Sequence, residues 1–193
     1  MTFDRRGFAL SAMVLVGLLA GCDHRTYGNL TKTEIEQHAI ANQRAGTMTM
    51  AESRRFDGLW GQVMNGDAIS ESDVNWLVTL GQRSGTPTQL SSRYPVVGML
   101  LSNIKRQNLS VSSHDSILQY GEKLTTAGPF PSGPGANGGC QRIALRIFDR
   151  LRDERAGPYL TVLSNYPDPA VRREARRLVR RFNQPGFATT TAG

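Results

Sequence analysis

Residues 140–183 read CQRIALRIFDRLRDERAGPYLTVLSNYPDPAVRREARRLVRRFN, and the spacing of apolar residues in this stretch decides the fold. Ile143, Ala144, Ile147, Phe148 and Leu151 recur at three- and four-residue intervals, which puts them on one helical face. Val171, Ala175, Leu178, Val179 and Phe182 repeat the pattern, and Tyr159, Leu160 and Leu163 give a shorter segment between them the same kind of face. Asp168 followed by Pro169 supplies a side-chain acceptor for a helix start and then a residue preset for its first position.

The same period extends toward the N-terminus. Phe56, Leu59, Trp60 and Val63 form one stripe, and Val74, Leu77 and Val78, widened by Trp76 and Leu80, form a second. Val97, Leu100, Leu101 and Ile104 follow Pro95, which suits a first helical turn, and Ile117, Tyr120, Gly121 and Leu124 form the next stripe. Thr49 with Glu52 reads as a capping box, Ser70 or Ser72 as a cap before Val74, and Ser112 or Ser113 as a cap before Ile117. No alternating run is long enough for a strand. The chain is therefore read as all-α, a compact bundle of six to eight helices. Its helical regions are 34–126 and an arginine-rich 140–183, joined by a Gly- and Pro-rich loop at 127–139 and followed by a disordered tail at 184–193.

Gly157 to Phe182 resembles a single HEAT repeat. The likeness rests on an apolar helix, the turn at Asp168 and Pro169, then Val171, Arg172, Ala175 and Leu178 on the second helix. It implies HEAT-like helical hairpins. One such unit cannot bury its own core, and several are needed for a solenoid.

The first 22 residues carry a different message. Arg5 and Arg6 precede an apolar run from Phe8 to Leu19, which is followed by Ala20, Gly21 and Cys22. A basic start, a short apolar core and small residues describe an export signal, and a dozen apolar residues fall short of the roughly 20 that span a bilayer. Leu19, Ala20, Gly21 and Cys22 resemble the lipobox of bacterial lipoproteins. The resemblance implies cleavage after residue 21, acylation of Cys22, and a lipidated tether over 22–33. Arg5, Arg6 and Phe8 also resemble a twin-arginine signal, although two arginines suit any basic start. Two or more acyl chains on one residue would anchor the protein stably. The expected location is the bacterial cell envelope, lipid-anchored to a membrane, on the periplasmic side.

Removing residues 1–21 from the 193 leaves 172, enough for one domain with a core. Of the two cysteines, Cys22 belongs to the lipobox, and Cys140 opens an amphipathic segment and is expected to be buried. Charge is uneven. Residues 22–139 hold ten Lys or Arg against ten Asp or Glu, whereas 140–183 hold eleven Arg against five acids. Arg142, Arg146 and Arg150 repeat every four residues, and Arg172, Arg173, Arg176, Arg177, Arg180 and Arg181 flank the last apolar stripe. These are the candidate residues for an anionic surface. Export argues against nucleic acid and makes an anionic lipid or an acidic protein the natural partner.

Catalytic patterns do not hold. With Ile69 at the eighth position of a calcium loop, the first, third and fifth ligands would be Gln62, Met64 and Gly66, so Asn65–Asp73 reads as a turn. Ser102 and Lys105 match the first serine motif of penicillin-binding enzymes, but its companion motifs are absent. His24, His38 and His114 have no spaced partners for zinc or a triad, and His38 pairs with Glu34 on an exposed helix face. The sequence implies no cofactor, no metal and no enzyme. It points to a membrane-anchored lipoprotein that binds a protein or assists assembly. Two alternatives stand beside it: a binder of anionic lipid, and a small envelope enzyme acting, for example, on peptidoglycan, with Glu52, Asp57, Asp67 and Glu71 as its first carboxylates to inspect.

Overall fold

The computed structural model describes residues 32–128, 130 and 137–187. Within them the chain forms eight α-helices and no strand: α1 (Lys32–Arg44), α2 (Met50–Asn65), α3 (Glu71–Gln82), α4 (Pro87–Asn103), α5 (Val111–Thr126), α6 (Gly139–Leu151), α7 (Gly157–Leu163) and α8 (Pro169–Phe182). Short 3-10 turns at Arg106–Asn108 and Glu154–Ala156 precede α5 and α7. The export signal, the lipobox and the tether up to residue 31 lie outside the described residues.

Helix α6 is the centre of the bundle. Nine of its thirteen residues are buried, because it packs on α4 and α5 on one side and on α8 on the other. Two glycines make room for it. A Cβ on Gly98 of α4 would meet Ile143 Cγ2 and Leu124 Cδ1 at 2.9 Å, and one on Gly121 of α5 would meet Ile147 Cγ2 and Phe148 Cε1 at 3.0 Å. Residues of the arginine-rich region and of the region before the Gly/Pro-rich loop thus share one hydrophobic core. Helices α1 and α2 pair at the N-terminal side, where Asn42 Nδ2 donates to Ser53 Oγ at 2.8 Å. Helices α7 and α8 form a hairpin in which Leu160 and Leu163 face Val171, Ala175 and Leu178, all buried.

Most starts follow the sequence. Thr49 and Glu52 form the capping box of α2, Ser70 caps α3, and Asp168 Oδ1 accepts from the backbone N–H groups of Ala170 and Val171. Helix α2 ends at Gly66 in the left-handed region, φ +85°, so Asn65–Asp73 is a helix end, a turn and the next helix start.

Three local readings are corrected. Pro95 lies inside α4, not in its first turn. The helix starts eight residues earlier because Thr86 and Gln89 form a capping box around Pro87. That start, and burial of Val97, Leu100 and Leu101, outweigh the one backbone donor that Pro95 lacks. Ser110 caps α5, with its Oγ accepting from Ser113 N at 3.1 Å, because Ser110 holds the extended conformation and Ser112 and Ser113 already lie inside the first turn. Phe187, assigned to a tail, packs edge-on against Phe182 with centroids 5.4 Å apart.

Candidate functional site

A groove of about 810 Å³, open to solvent, runs between the end of α4 and the C-terminal end of α6. Its lining includes Lys105, Arg106, Arg146, Arg150, Arg152 and Arg181 but only one carboxylate, Asp149. The cations come from three places in the chain. Lys105 and Arg106 sit on the turn after α4, Arg146, Arg150 and Arg152 on the last two turns of α6 and the residue that ends it, and Arg181 on the last turn of α8.

Several of these guanidinium groups are held in position by contacts that use few of their five donors. Arg150 Nε donates to the Ser102 carbonyl at 3.4 Å, tying α6 to the end of α4. Arg181 Nη1 donates to Asp149 Oδ1 at 2.8 Å. The Phe187 ring lies under the guanidinium carbons of Arg181 and Arg152, at 4.4 and 4.9 Å from its centroid. Arg152 adopts a left-handed conformation, φ +54°, where it ends α6. Asp149 is contacted by Arg177 as well as Arg181, so the one acid of the groove is already paired twice.

The arginines singled out in the sequence separate into four groups. Arg146, Arg150 and Arg181 converge on the groove. Arg142, at the opposite end of α6, donates to the Asn137 carbonyl at 2.9 Å and lies 3.9 Å from Asp168. Arg172 and Arg176 donate to the carbonyls of Tyr166, Pro167 and Ser164, closing the end of α7, and Arg177 pairs with Glu174. Arg173 and Arg180 are exposed on α8. The regular i, i+4 spacing on α6 therefore does not make one continuous charged face, because the helix is about 20 Å long and its two ends meet different neighbours. Local sequence missed Lys105, Arg106 and Arg152. The first two form an adjacent basic pair, but only tertiary packing brings that pair to α6, and Arg152 falls outside the four-residue register.

The nominated carboxylates have separate partners. Glu52, although partly desolvated, is held below the usual range by bonds from Arg83 and the Thr49 backbone. Asp67 is exposed, and Glu71 accepts from Ser110 Oγ at 2.8 Å. Asp57 differs. Burial pushes its pKa up to about 7, and its Oδ2 has no hydrogen-bond partner. His38 Nδ1 is 4.0 Å from that oxygen, too far for a hydrogen bond. This corrects the placing of His38 on an exposed face: its side chain is 15% exposed, and burial lowers its pKa against the raising effect of Glu34.

His114 is also buried, with Nδ1 3.7 Å from Asp153 Oδ2 and 3.8 Å from Asp115 Oδ1. Asp153 accepts from Arg155, so the acid beside His114 is already committed. Ser102 Oγ donates to the Met99 carbonyl at 2.8 Å. Cys140 is buried, which pushes its thiol pKa up to about 12 and makes it a core side chain. Trp60 is buried in the core, and Trp76 is half-buried beneath Arg55 at 4.3 Å. Among the described residues no three His, Cys, Asp or Glu are grouped to hold a metal, and no helix is long and apolar enough to cross a membrane. No protein-family model, curated protein or solved structure matches the chain.

Proposed function

We propose that this chain is a lipid-anchored envelope lipoprotein whose helical domain is a binding or assembly factor at the membrane surface. The cation-lined groove carries the reading. Six basic side chains meet one carboxylate there, and the one hydroxyl of the lining, Ser102 Oγ, is turned onto the Met99 carbonyl. That composition suits recognition of an anionic partner. The lipobox-like Leu19, Ala20, Gly21 and Cys22 supply the anchor, and ten residues from Cys22 to Lys32 would keep the domain within about 35 Å of the headgroups.

Two experiments test the two halves. Cys22→Ser is expected to leave an uncleaved, non-acylated precursor that keeps its apolar run and is read by intact mass, and unchanged processing and mass would remove the anchor. A photo-crosslinking residue at Gln107, in the groove, is expected to capture a discrete envelope partner that Arg146→Glu abolishes. Capture that ignores this charge reversal would remove the groove from the binding reading.

A second reading has one observation in its favour. Asp57, buried beside His38 and with its pKa near neutrality, is the kind of carboxylate that an envelope hydrolase would use as a general acid. Release of soluble fragments from purified peptidoglycan by the chain, lost in Asp57→Asn, would favour it.

A further inference from the structure

We propose that the groove is a binding site for phosphate groups, taking a ligand with two or three of them, and that its concave shape, not the outer arginines of α8, gives the selectivity. This rests on the groove being the domain's recognition surface and is independent of the lipid anchor.

Charge comes first. Six cations against one carboxylate leave five net positive charges on the lining. Helices α4, α6 and α8 all end beside it, at Asn103, Leu151 and Phe182. Each C-terminus contributes about half a negative charge, so roughly three to four positive charges remain to be balanced. A phosphate monoester carries about −1.5 to −2. Two or three phosphate groups match the groove, whereas one carboxylate would leave most of the charge uncompensated.

Donor type comes second. Five of the six cations are arginines, whose planar forks bind phosphate oxygens two at a time. Arg150 and Arg181 are oriented by a bond to Ser102 and by Asp149, and Arg152 and Arg181 by stacking on Phe187. Stacking occupies the face of a guanidinium and leaves its edge N–H groups for a ligand. Orienting contacts of this kind lower the ordering cost of binding. Arg146 is exposed at the rim and makes no hydrogen bond or ion pair to the described residues, so it can swing onto a bound anion.

Shape comes third. The volume of about 810 Å³ lies within the range of small-molecule sites and admits phosphate groups together with part of the body that carries them. A flat bilayer would meet the exposed Arg173 and Arg180 of α8 as readily as the groove, whereas only the groove gathers cations from three parts of the chain around one concave space. Phosphate could arrive on a free phosphorylated molecule or on a single lipid headgroup lifted into the groove, and the two sources can be told apart.

The test is calorimetric titration of the full chain in neutral detergent. The ligands are sodium tripolyphosphate, methyl phosphate, and short-chain dihexanoyl phosphatidic acid, with dihexanoyl phosphatidylcholine as the control lipid. Saturable one-to-one binding of tripolyphosphate is expected, at least tenfold tighter than methyl phosphate and weakened as salt shortens the Debye length from about 10 Å at 0.1 M to about 3 Å at 1 M. Arg146→Gln with Arg150→Gln should weaken it at least tenfold. Arg173→Gln with Arg180→Gln removes the same charge outside the groove and should change it less than twofold. Because Arg150 also bonds Ser102, the single exposed change Arg146→Glu serves as a second variant, expected to weaken binding at least fivefold with an unchanged melt. Phosphatidic acid that competes with tripolyphosphate assigns the headgroup as a source, and tripolyphosphate binding without such competition assigns a soluble phosphate. No saturable binding, or equal losses in the groove and α8 variants, overturns the phosphate site. The crosslinking at Gln107 would then still decide the broader binding reading.

Discussion

Tyr120 of α5 donates its hydroxyl to the Tyr94 carbonyl of α4 at 2.7 Å, and the same hydroxyl lies directly over Gly81 of α3. One buried side chain therefore fixes the spacing of three helices. The Tyr94 and Tyr120 rings meet edge to face, 4.8 Å between centroids, and burial raises the pKa of both phenols, so both stay protonated donors.

Tyr120→Phe is expected to cost about 1–2 kcal/mol in denaturant melts, since it removes a bond from a buried acceptor and leaves the ring in place. Gly81→Ala should cost about 1–3 kcal/mol, as its Cβ would sit 2.1 Å from the Tyr120 hydroxyl. The two changes should not add, because they act on one contact. Additive costs would mean that Gly81 and Tyr120 do not share this contact.

The α7–α8 hairpin separates buried from exposed positions on one helix. Leu178 is fully buried, so Leu178→Ala should destabilise by about 2–5 kcal/mol. Arg173→Ala on the exposed face should change stability by about 0.5 kcal/mol or less. Arg177 is a poorer exposed reference, because it pairs with Glu174 and Asp149. Asp168→Ala should cost about 0.5–2 kcal/mol at pH 7 through loss of the helix cap. Its backbone bonds to Val171 and Ala170 hold the Asp168 pKa below 3.8 despite desolvation. Stability from this group is present above 3.8 and is lost as pH falls through the lower folded value, so the cost of the substitution should shrink by pH 2. A cost independent of pH would show that the carboxylate charge is irrelevant to the cap.

Asp57 acts in the opposite sense. Its folded pKa is raised from 3.8 to about 7, so folding favours the protonated acid. The folded state pays nothing for this group below pH 3.8, and its stability declines as pH rises toward 7 and levels off above it. The interval of about three between the two values corresponds to roughly 4 kcal/mol before the surroundings relax. Asp57→Asn should therefore stabilise the protein by about 1–3 kcal/mol at pH 8.5 and leave it nearly unchanged at pH 3. Burial of His38 lowers its pKa and costs stability below about pH 6.5, but it does so in both proteins and largely cancels from the difference. Equal melts of the two proteins at pH 8.5 would mean that Asp57 is hydrated.

The sequence alone determined the all-α fold, because a 3.6-residue period of Phe56, Leu77, Leu100, Ile147 and Leu178 with their neighbours is a local property, readable wherever the helix boundaries fall. It also determined the caps at Thr49 and Asp168, and offered Ser70 beside Ser72, because the accepting side chain and the backbone donor are two or three residues apart. It misjudged Pro95, since a proline marks a start only when no stronger start lies upstream, and Thr86 with Gln89 is stronger. Net charge was legible too, but not its arrangement. Arg142, Arg146 and Arg150 share a face in sequence, yet Arg142 turns to Asp168 and Asn137, while Arg146 and Arg150 join Lys105, Arg106, Arg152 and Arg181. That gathering depends on how α6 docks between α4 and α8, through Gly98 and Gly121, and no local pattern encodes it. The buried state of Asp57 beside His38 is likewise tertiary. Nineteen positions separate Asp57 from His38 in the middle of α1, and only the packing of α2 on α1 removes both from water.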